Sequence, residues 1–150
     1  MQRLAPALFL LLSGCAPFSV GPLLPLPTPV REGQESAVWI VWHTYGREDL
    51  PPTVRWVEGA SLNCTAETGR PGWQTPVGCR EGFTWTAGNV SVAWRPDDFF
   101  ATTALAHEMM HASLIRRFGL LGGDPDHRRP EWLPGGLKDQ AVGRLIEAGL

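Results

Sequence analysis

Two histidines four residues apart, with a glutamate directly after the first, are the residues whose types and spacing best suit chemistry. They lie in the run His107-Glu108-Met109-Met110-His111, an H-E-x-x-H pattern. Residues four apart lie one above the other on a helix, so both imidazoles would project from one face. Two neutral imidazoles at this spacing can share one zinc ion. The carboxylate between them would lie near a water on that ion, where it can act as a general base.

The H-E-x-x-H pattern indicates a metal site only if it lies on a helix, and the flanking residues predict a helix. Helix-forming residues flank it from Ala101 to Phe118, and Gly119 supplies a stop. Asp97 or Asp98 is the expected N-terminal cap, since both are short acidic residues that follow a proline. The helical period places the two histidines in one apolar stripe, together with Ala104, Leu114, Ile115 and Phe118.

A catalytic zinc normally takes three protein ligands and keeps one position open. Glycines and a proline in the segment Gly122–Trp132 turn the chain back toward the helix. His127 is the first choice of third ligand, because it is the one histidine that follows this turn. Asp126 and Asp124 rank next and Glu131 last, since acids in turns commonly cap the backbone instead.

A family resemblance covers the stretch from Ala104 to Trp132. The run His107–Ala112, a loop, His127, and then Pro130–Trp132 resemble the SprT-like (Spartan-type) zinc metalloproteases, with their H-E-M-I-H-A run, third histidine and P-E-aromatic tail. The resemblance implies that His107, His111 and His127 bind zinc and that Glu108 is the catalytic base. It also implies a zincin arrangement, in which the substrate lies along an edge strand beside the active-site helix.

The N-terminal residues predict export. Arg3, an apolar run over residues 4–12 and a small-residue site form a secretory signal over residues 1–14, whose apolar run is too short to span a bilayer. The ending Leu12–Cys15 resembles the bacterial lipobox, in which Cys15 is acylated, with palmitate an expected chain, and becomes the mature N-terminus. The alternatives are an ordinary signal cleaved after Ala16 and an apolar N-terminus that is buried in the folded protein. Multiple acylation would anchor the protein stably to a membrane.

The rest of the chain divides into a tether and one domain. Residues 15–36 are predicted to form a lipidated, proline-rich tether, since repeated prolines exclude helices and sheet ladders. Residues 37–150 have the size of one small domain. The two remaining cysteines, Cys64 and Cys79, predict a structural disulfide in an exported protein.

Four segments of this domain before the predicted H-E-x-x-H helix have strand character. Val38–His43 is rich in β-branched and aromatic residues and predicts a buried strand, and Thr53–Glu58 alternates and predicts a second. Phe83–Thr86 and Val90–Trp94 flank a turn and predict a hairpin. We expect the last of these strands, directly before the metal helix, to be the edge that binds a peptide by strand addition.

The predicted fold class is α+β. It is a small zincin-like domain in which a short, mostly antiparallel sheet packs with the H-E-x-x-H helix and with a C-terminal helix over Leu137–Leu150. The net charge of −2 and the absence of any basic cluster larger than a pair argue against nucleic-acid binding.

These features predict a zinc metallopeptidase that hydrolyses a peptide or protein substrate at the bacterial cell envelope, lipid-anchored to a membrane on its periplasmic or extracellular face. One alternative is a non-catalytic zinc-binding lipoprotein that acts as a binding or assembly module. Another is amide hydrolysis on cell-wall peptides, which uses the same chemistry. The retained Glu108 favours an enzyme, because a purely structural zinc site has no use for a base.

Overall fold

The computed structural model describes residues 32–60, 62, 81–84, 88–95 and 97–150. The predicted signal over residues 1–14, the predicted lipidation site Cys15 and the predicted disulfide cysteines Cys64 and Cys79 lie outside these residues. Within them the chain is a small α+β domain with three α-helices and a short three-stranded mixed sheet. No helix among the described residues is long and apolar enough to cross a membrane. The helices and strands are α1 (Gln34–Thr44), β1 (Val54–Glu58), β2 (Gly82–Thr84), β3 (Val90–Trp94), α2 (Leu105–Phe118) and α3 (Leu137–Glu147).

The first predicted strand is wrong, because Val38–His43 lies inside helix α1. Its buried side chains recur at helical spacing, at positions 34, 37, 38, 41 and 42, which turns one apolar face toward the other two helices. Packing of that face outweighs the strand preference of valine, isoleucine and tryptophan. The helix begins at Gln34, so the last residues of the predicted tether 15–36 belong to the folded domain.

The other three strand predictions are confirmed, but the sheet is mixed rather than mostly antiparallel. The strand order is β1-β3-β2, with β3 parallel to β1 and antiparallel to β2. The central strand is β3, and all five of its residues are buried. The prediction that Val90–Trp94 forms the edge strand is therefore wrong. The edge beside helix α2 is β2, whose residues contact that helix.

Helix α2 carries the H-E-x-x-H run, but it begins later than predicted. A single 3₁₀ turn occupies Phe100–Thr102, the extended backbone of Thr103 separates it from the helix, and Ala104 is the N-cap residue. Asp97 and Asp98 therefore do not cap the helix. The hydroxyl of Thr103 accepts a hydrogen bond from the backbone N–H of Leu105 at 3.2 Å, which satisfies one free donor of the first turn. Gly119 ends the helix as predicted.

The apolar stripe of α2 is rotated from the predicted one. Its fully buried side chains include Leu105, Met109 and Met110, which join the main core, whereas Phe118 is exposed. The two histidines are half-buried and face a cleft beside the core instead of lying inside it. This placement leaves their ring nitrogens accessible.

The predicted C-terminal helix is confirmed as α3, which packs mainly against α1 and also against α2. Ala141 and Leu145 are fully buried in that contact. Tyr45, just after α1, is buried, and its hydroxyl donates a 2.6 Å hydrogen bond to the backbone oxygen of Ala106 in α2. Helices α1 and α3 therefore both pack on α2, which in turn contacts β2 and β3 of the sheet.

Candidate metal centre

Three histidines from two parts of the chain converge at one point. The Nε2 atoms of His107 and His111, one helical turn apart on α2, are 3.2 Å apart. The Nε2 atom of His127, from the loop after α2, lies 3.1 Å from that of His111. All three ligand atoms lie within 4.8 Å of one another, close enough to bind one metal ion. The sequence predicted each of these three residues.

The backbone determines which nitrogen of His111 carries its proton. The Nδ1 atom lies 2.6 Å from the carbonyl oxygen of Gly123, which can only accept a hydrogen bond. The proton of the neutral ring therefore resides on Nδ1 and is donated to that oxygen. The lone pair of Nε2 then points to the other two imidazoles, as a metal ligand requires.

His127 is brought to the site by a tight loop that Asp124 organises. Both residues adopt left-handed backbone conformations, with φ of 54° for His127 and 55° for Asp124. The backbone N–H of His127 donates to the carbonyl oxygen of Asp124 at 3.0 Å. The Asp124 carboxylate accepts the N–H of Arg129 at 2.8 Å. A left-handed conformation costs free energy in any residue other than glycine, and such residues cluster at functional sites. The strained backbone of this loop is therefore consistent with a role in positioning His127.

The three acidic residues that were considered as alternative third ligands lie outside the histidine cluster. Asp124 serves the loop backbone, and Asp126 is exposed and forms a 3.0 Å ion pair with Arg128. Glu131 has one buried carboxylate oxygen without a hydrogen-bond partner among the described residues, and it is not part of the cluster. Among the candidates, His127 alone joins His107 and His111.

Trp132 packs against all three histidines, a role that the sequence analysis missed. Its ring centroid lies 4.9 Å from that of His107, 4.6 Å from His111 and 4.3 Å from His127. The indole thus restricts the rotation of each imidazole. The only sequence signal was its place in the P-E-aromatic tail, which did not specify a contact.

Burial keeps the helical histidines neutral. Removal from water, together with the neighbouring charges of His111 and His127, lowers the pKa of His107 to about 4. Burial likewise lowers the pKa of His111, although the Gly123 carbonyl opposes this effect. Neutral imidazoles bind metal ions, so these two ligands need not lose a proton at neutral pH.

Glu108 is buried directly beside this cluster. Only 3% of its surface is exposed, and burial raises the pKa of its carboxyl to about 7, against the opposing effect of a hydrogen bond from Thr84. A carboxyl group with a pKa near the working pH can both accept and return a proton. The Glu108 carboxyl could therefore exchange a proton near neutral pH.

The edge strand β2 holds the Glu108 side chain, which sequence reasoning did not anticipate. The hydroxyl of Thr84 lies 2.5 Å from Oε2 of Glu108 and 3.0 Å from its backbone oxygen. At Gly82, an added Cβ atom would lie 2.4 Å from Cγ of Glu108, so only glycine fits. Neither residue belongs to a local motif, and their role depends on how β2 packs on α2.

A cleft of about 840 Å³ opens over the centre. One wall is β2 with Glu81, and the floor is the face of α2 that carries the two histidines and Glu108. The loop after α2 forms the opposite wall with apolar and polar residues, namely Leu120, Gly123, Pro125 and His127. A cleft of this size can hold several residues of a peptide chain. Tyr45 and His43 do not line it: Tyr45 is committed to Ala106, and His43 is exposed and stacks on Trp39.

Comparisons with protein-family models, with curated proteins and with solved structures found no match to this chain. The resemblance of residues 104–132 to SprT-like metalloproteases therefore stays a prediction from the sequence.

Proposed function

We propose that the histidine cluster binds zinc. Tetrahedral nitrogen ligands at 2.0–2.1 Å from zinc are separated by about 3.3 Å, and the two recorded Nε2 separations are 3.2 and 3.1 Å. The donors are imidazole nitrogens, which suit zinc better than magnesium or calcium. The proton on Nδ1 of His111 supplies the outer hydrogen bond typical of zinc-binding histidines.

We further propose that the protein is a zinc-dependent peptidase. The observation that carries this proposal is the buried Glu108 carboxylate beside three histidines that face an open cleft. Among the described residues no carboxylate or thiol completes the cluster as a fourth ligand. Three ligands and an open position are typical of catalytic zinc, whereas structural sites are closed.

The residues of the cleft suit hydrolysis of an amide bond. A bound zinc ion would polarise the attacking water and the carbonyl of the substrate. Glu108 accepts a proton from the water as its oxygen bonds to the carbonyl carbon. Glu108 then gives that proton to the amine nitrogen as the carbon–nitrogen bond breaks. The products are a carboxylic acid and an amine, and Glu108 is again an unprotonated carboxylate.

The edge strand suggests how a peptide would lie. Gly82 is opposite Val92, and the N–H of Ala93 donates to the oxygen of Glu81. Hydrogen-bonded and non-hydrogen-bonded pairs alternate along an antiparallel ladder, so the N–H and C=O groups of Gly82 and Thr84 point away from β3. An extended peptide can pair with these groups as an added strand. Its backbone would then cross the cleft above α2.

The proposed location is the bacterial cell envelope, with the domain attached to a membrane through acylated Cys15. This part of the proposal rests on the predicted secretory signal over residues 1–14 and on the lipobox-like run Leu12–Cys15. An envelope location makes exported proteins and cell-wall peptides the two substrate classes to assay.

The first experiment measures zinc and proteolysis together. Full-length protein, purified in mild detergent, is analysed for zinc per chain and assayed on unfolded casein and on cell-wall peptides, beside Glu108→Gln and His127→Ala. We expect one zinc in the parent and in Glu108→Gln, with proteolysis in the parent only. His127→Ala should lose zinc, since two histidines alone bind it weakly.

Asp126→Ala is the matched control, because Asp126 lies one residue from the proposed third ligand and forms an ion pair with Arg128 at the surface. It should keep both zinc and activity. A folded parent with one zinc and no activity on either substrate class would favour a non-catalytic binding protein. Undiminished proteolysis by Glu108→Gln would refute the role of the base.

A further inference from the structure

We propose that Thr84 is a positioning residue for Glu108: it fixes the carboxylate from the edge strand and leaves Oε1 as the oxygen that accepts the proton. This inference rests on the proposed function for its catalytic meaning. The contact itself can be tested without any activity.

The hydrogen bonding of the carboxylate is asymmetric. The Thr84 hydroxyl has one proton, and its acceptors are Oε2 of Glu108 at 2.5 Å and the backbone oxygen of Glu108 at 3.0 Å. The shorter contact and the negative charge favour donation to Oε2. Among the described residues, no other group donates to this carboxylate. One oxygen is thus bound by the Thr84 hydroxyl, and the other accepts no hydrogen bond from the part of the chain that the structure describes and can act as the base.

Gly82 preserves the space that the second oxygen needs. A Cβ atom at position 82 would lie 2.8 Å from Oε1 and 2.4 Å from Cγ of Glu108. Even the smallest side chain at this position would therefore displace the carboxylate. The two residues act together, since Thr84 binds one oxygen while Gly82 leaves room for the other.

Fixing the carboxylate matters because glutamate has three rotatable side-chain bonds. A base that samples several rotamers spends part of its time away from the attacking water, and small displacements of reacting groups lower rates strongly. A donor held in place on a strand restricts these rotamers at no cost in the transition state. Thr84 supplies such a donor without contacting the water itself.

The same residue connects the base to the substrate edge. The N–H and C=O groups of Thr84 point to the side of β2 away from β3, whereas its hydroxyl points to Glu108. A peptide added to β2 would form backbone hydrogen bonds with Thr84, and the Thr84 hydroxyl binds the Glu108 carboxylate. One residue would therefore position both the peptide and the base. The spacing between the scissile bond and Oε1 would then depend on one strand.

The kinetic test compares Thr84→Val, Thr84→Ser and the control Thr44→Val. Valine keeps the shape of threonine and removes the hydroxyl, whereas serine keeps the hydroxyl. Thr44 is buried and, like Thr84, has a hydroxyl that can donate to a backbone oxygen, here at 2.7 Å, but it lies on α1 away from the cleft. We expect Thr84→Val to lower kcat about 10- to 100-fold, with KM and zinc content unchanged. Thr84→Ser and Thr44→Val should both keep kcat close to that of the parent.

The second test measures the Thr84–Glu108 contact in the zinc-free protein by thermal unfolding. Thr84→Val is made in the parent and in Glu108→Met, which has a side chain of similar length without an acceptor. We expect a loss of about 5 °C in Tm in the parent background, and less than half that loss in Glu108→Met. A remaining bond from Thr84 to the backbone oxygen explains why some loss persists.

The outcomes separate this inference from the proposed function. Equal Tm losses in the two backgrounds would overturn it, as would kcat losses as large in Thr84→Ser as in Thr84→Val. If the zinc-loaded parent hydrolyses no peptide, the proposed peptidase function fails. The Tm comparison then still decides whether Thr84 fixes the Glu108 carboxylate.

Discussion

Asp124 supports the metal centre through the backbone rather than as a ligand. Its carboxylate accepts the N–H of Arg129, and its left-handed backbone starts the loop that returns His127 to α2. We predict that Asp124→Ala weakens zinc affinity about 10- to 100-fold, as expected for loss of an outer-shell contact. Titration against a coloured zinc chelator measures this change.

Asp124→Asn is the matched control for that experiment. Asparagine tolerates the left-handed conformation and can accept the same hydrogen bond. It should therefore bind zinc nearly as tightly as the parent. An Asn variant as weak as the Ala variant would indicate that the negative charge, and not the loop geometry, supports the centre.

The buried Glu108 makes the stability of the zinc-free protein depend on pH. Burial raises the pKa of its carboxyl to about 7, above the value in the unfolded chain. The folded state therefore holds this proton more tightly, and the resulting stability is present below pH 4.5 and lost as the pH rises through 7. Because Glu108→Gln has no such titration, the free energy of unfolding of the parent minus that of the variant should fall by roughly 2 kcal/mol between pH 5 and 8.

Urea unfolding in the presence of a chelator at pH 5 and pH 8 measures this difference. His107 acts in the opposite direction, since its pKa is lowered to about 4 and its stabilising effect is lost as the pH falls from 6.5 toward 4. That contribution is common to the parent and Glu108→Gln and cancels in the comparison. A difference that is equal at the two pH values would show that Glu108 is not buried as a titrating acid.

At the residue scale, the site residues that lie close together in the sequence could be predicted from their spacing. Those that only the packing of distant segments brings to the site were missed. His107, Glu108 and His111 follow from a four-residue period, and His127 from a turn that returns the chain. Thr84 lies 24 residues from Glu108 and reaches it only because β2 packs on α2. No periodicity or motif relates such a pair.

At the scale of elements, helix α1 shows how composition can mislead. Valine, isoleucine and tryptophan favour strands, yet the spacing of the buried residues in Gln34–Thr44 is helical. A short apolar run fits either element, and the neighbouring helices decide between them. The strands were easier to predict because β1 alternates between buried and partly exposed residues. The edge role of β2 depends on pairing order, which the sequence did not determine.

The contact between α1 and α2 gives a prediction for Tyr45. Its hydroxyl donates to the backbone oxygen of Ala106 in a buried position, and burial raises the pKa of this hydroxyl above its usual value. Tyr45→Phe should lower the free energy of unfolding by about 1 kcal/mol, the typical value of a lost hydrogen bond. Urea denaturation measures this loss. Zinc binding should not change, because the hydroxyl faces away from the cleft; a loss of zinc would contradict this assignment.

At the scale of the whole molecule, the metal would join helix α2 to the loop that follows it, in addition to the packing of Trp132 and the His111–Gly123 hydrogen bond. His107 and His111 belong to α2, whereas His127 belongs to the loop that precedes α3. A ligand that binds only the folded state stabilises it by mass action. Zinc at a hundredfold excess over its Kd should raise Tm by about 10 °C, as measured by differential scanning calorimetry.

A chelator should reverse this increase, and His127→Ala should largely abolish it. Magnesium at the same concentration is the matched control, since it prefers oxygen ligands and should leave Tm unchanged. An equal increase with magnesium would indicate a nonspecific ionic effect.

The membrane anchor is tested by the substitution Cys15→Ala. We expect the parent in the membrane fraction of a bacterial host and the variant outside it, because acyl chains supply the affinity for the bilayer. Immunoblots of the separated fractions measure the distribution. An unchanged distribution would refute the lipoprotein prediction, and it would leave the metal centre unaffected.

Trp132 provides an intrinsic fluorescent probe of the histidine cluster. Its indole ring lies within 4.9 Å of all three imidazoles, and a change in their charge or motion alters how an adjacent excited indole decays. The emission of this one side chain, isolated as the difference between the parent and Trp132→Phe, should therefore follow occupancy of the site in real time. Stopped-flow fluorescence can then resolve how fast an ion enters and leaves, without any label or substrate.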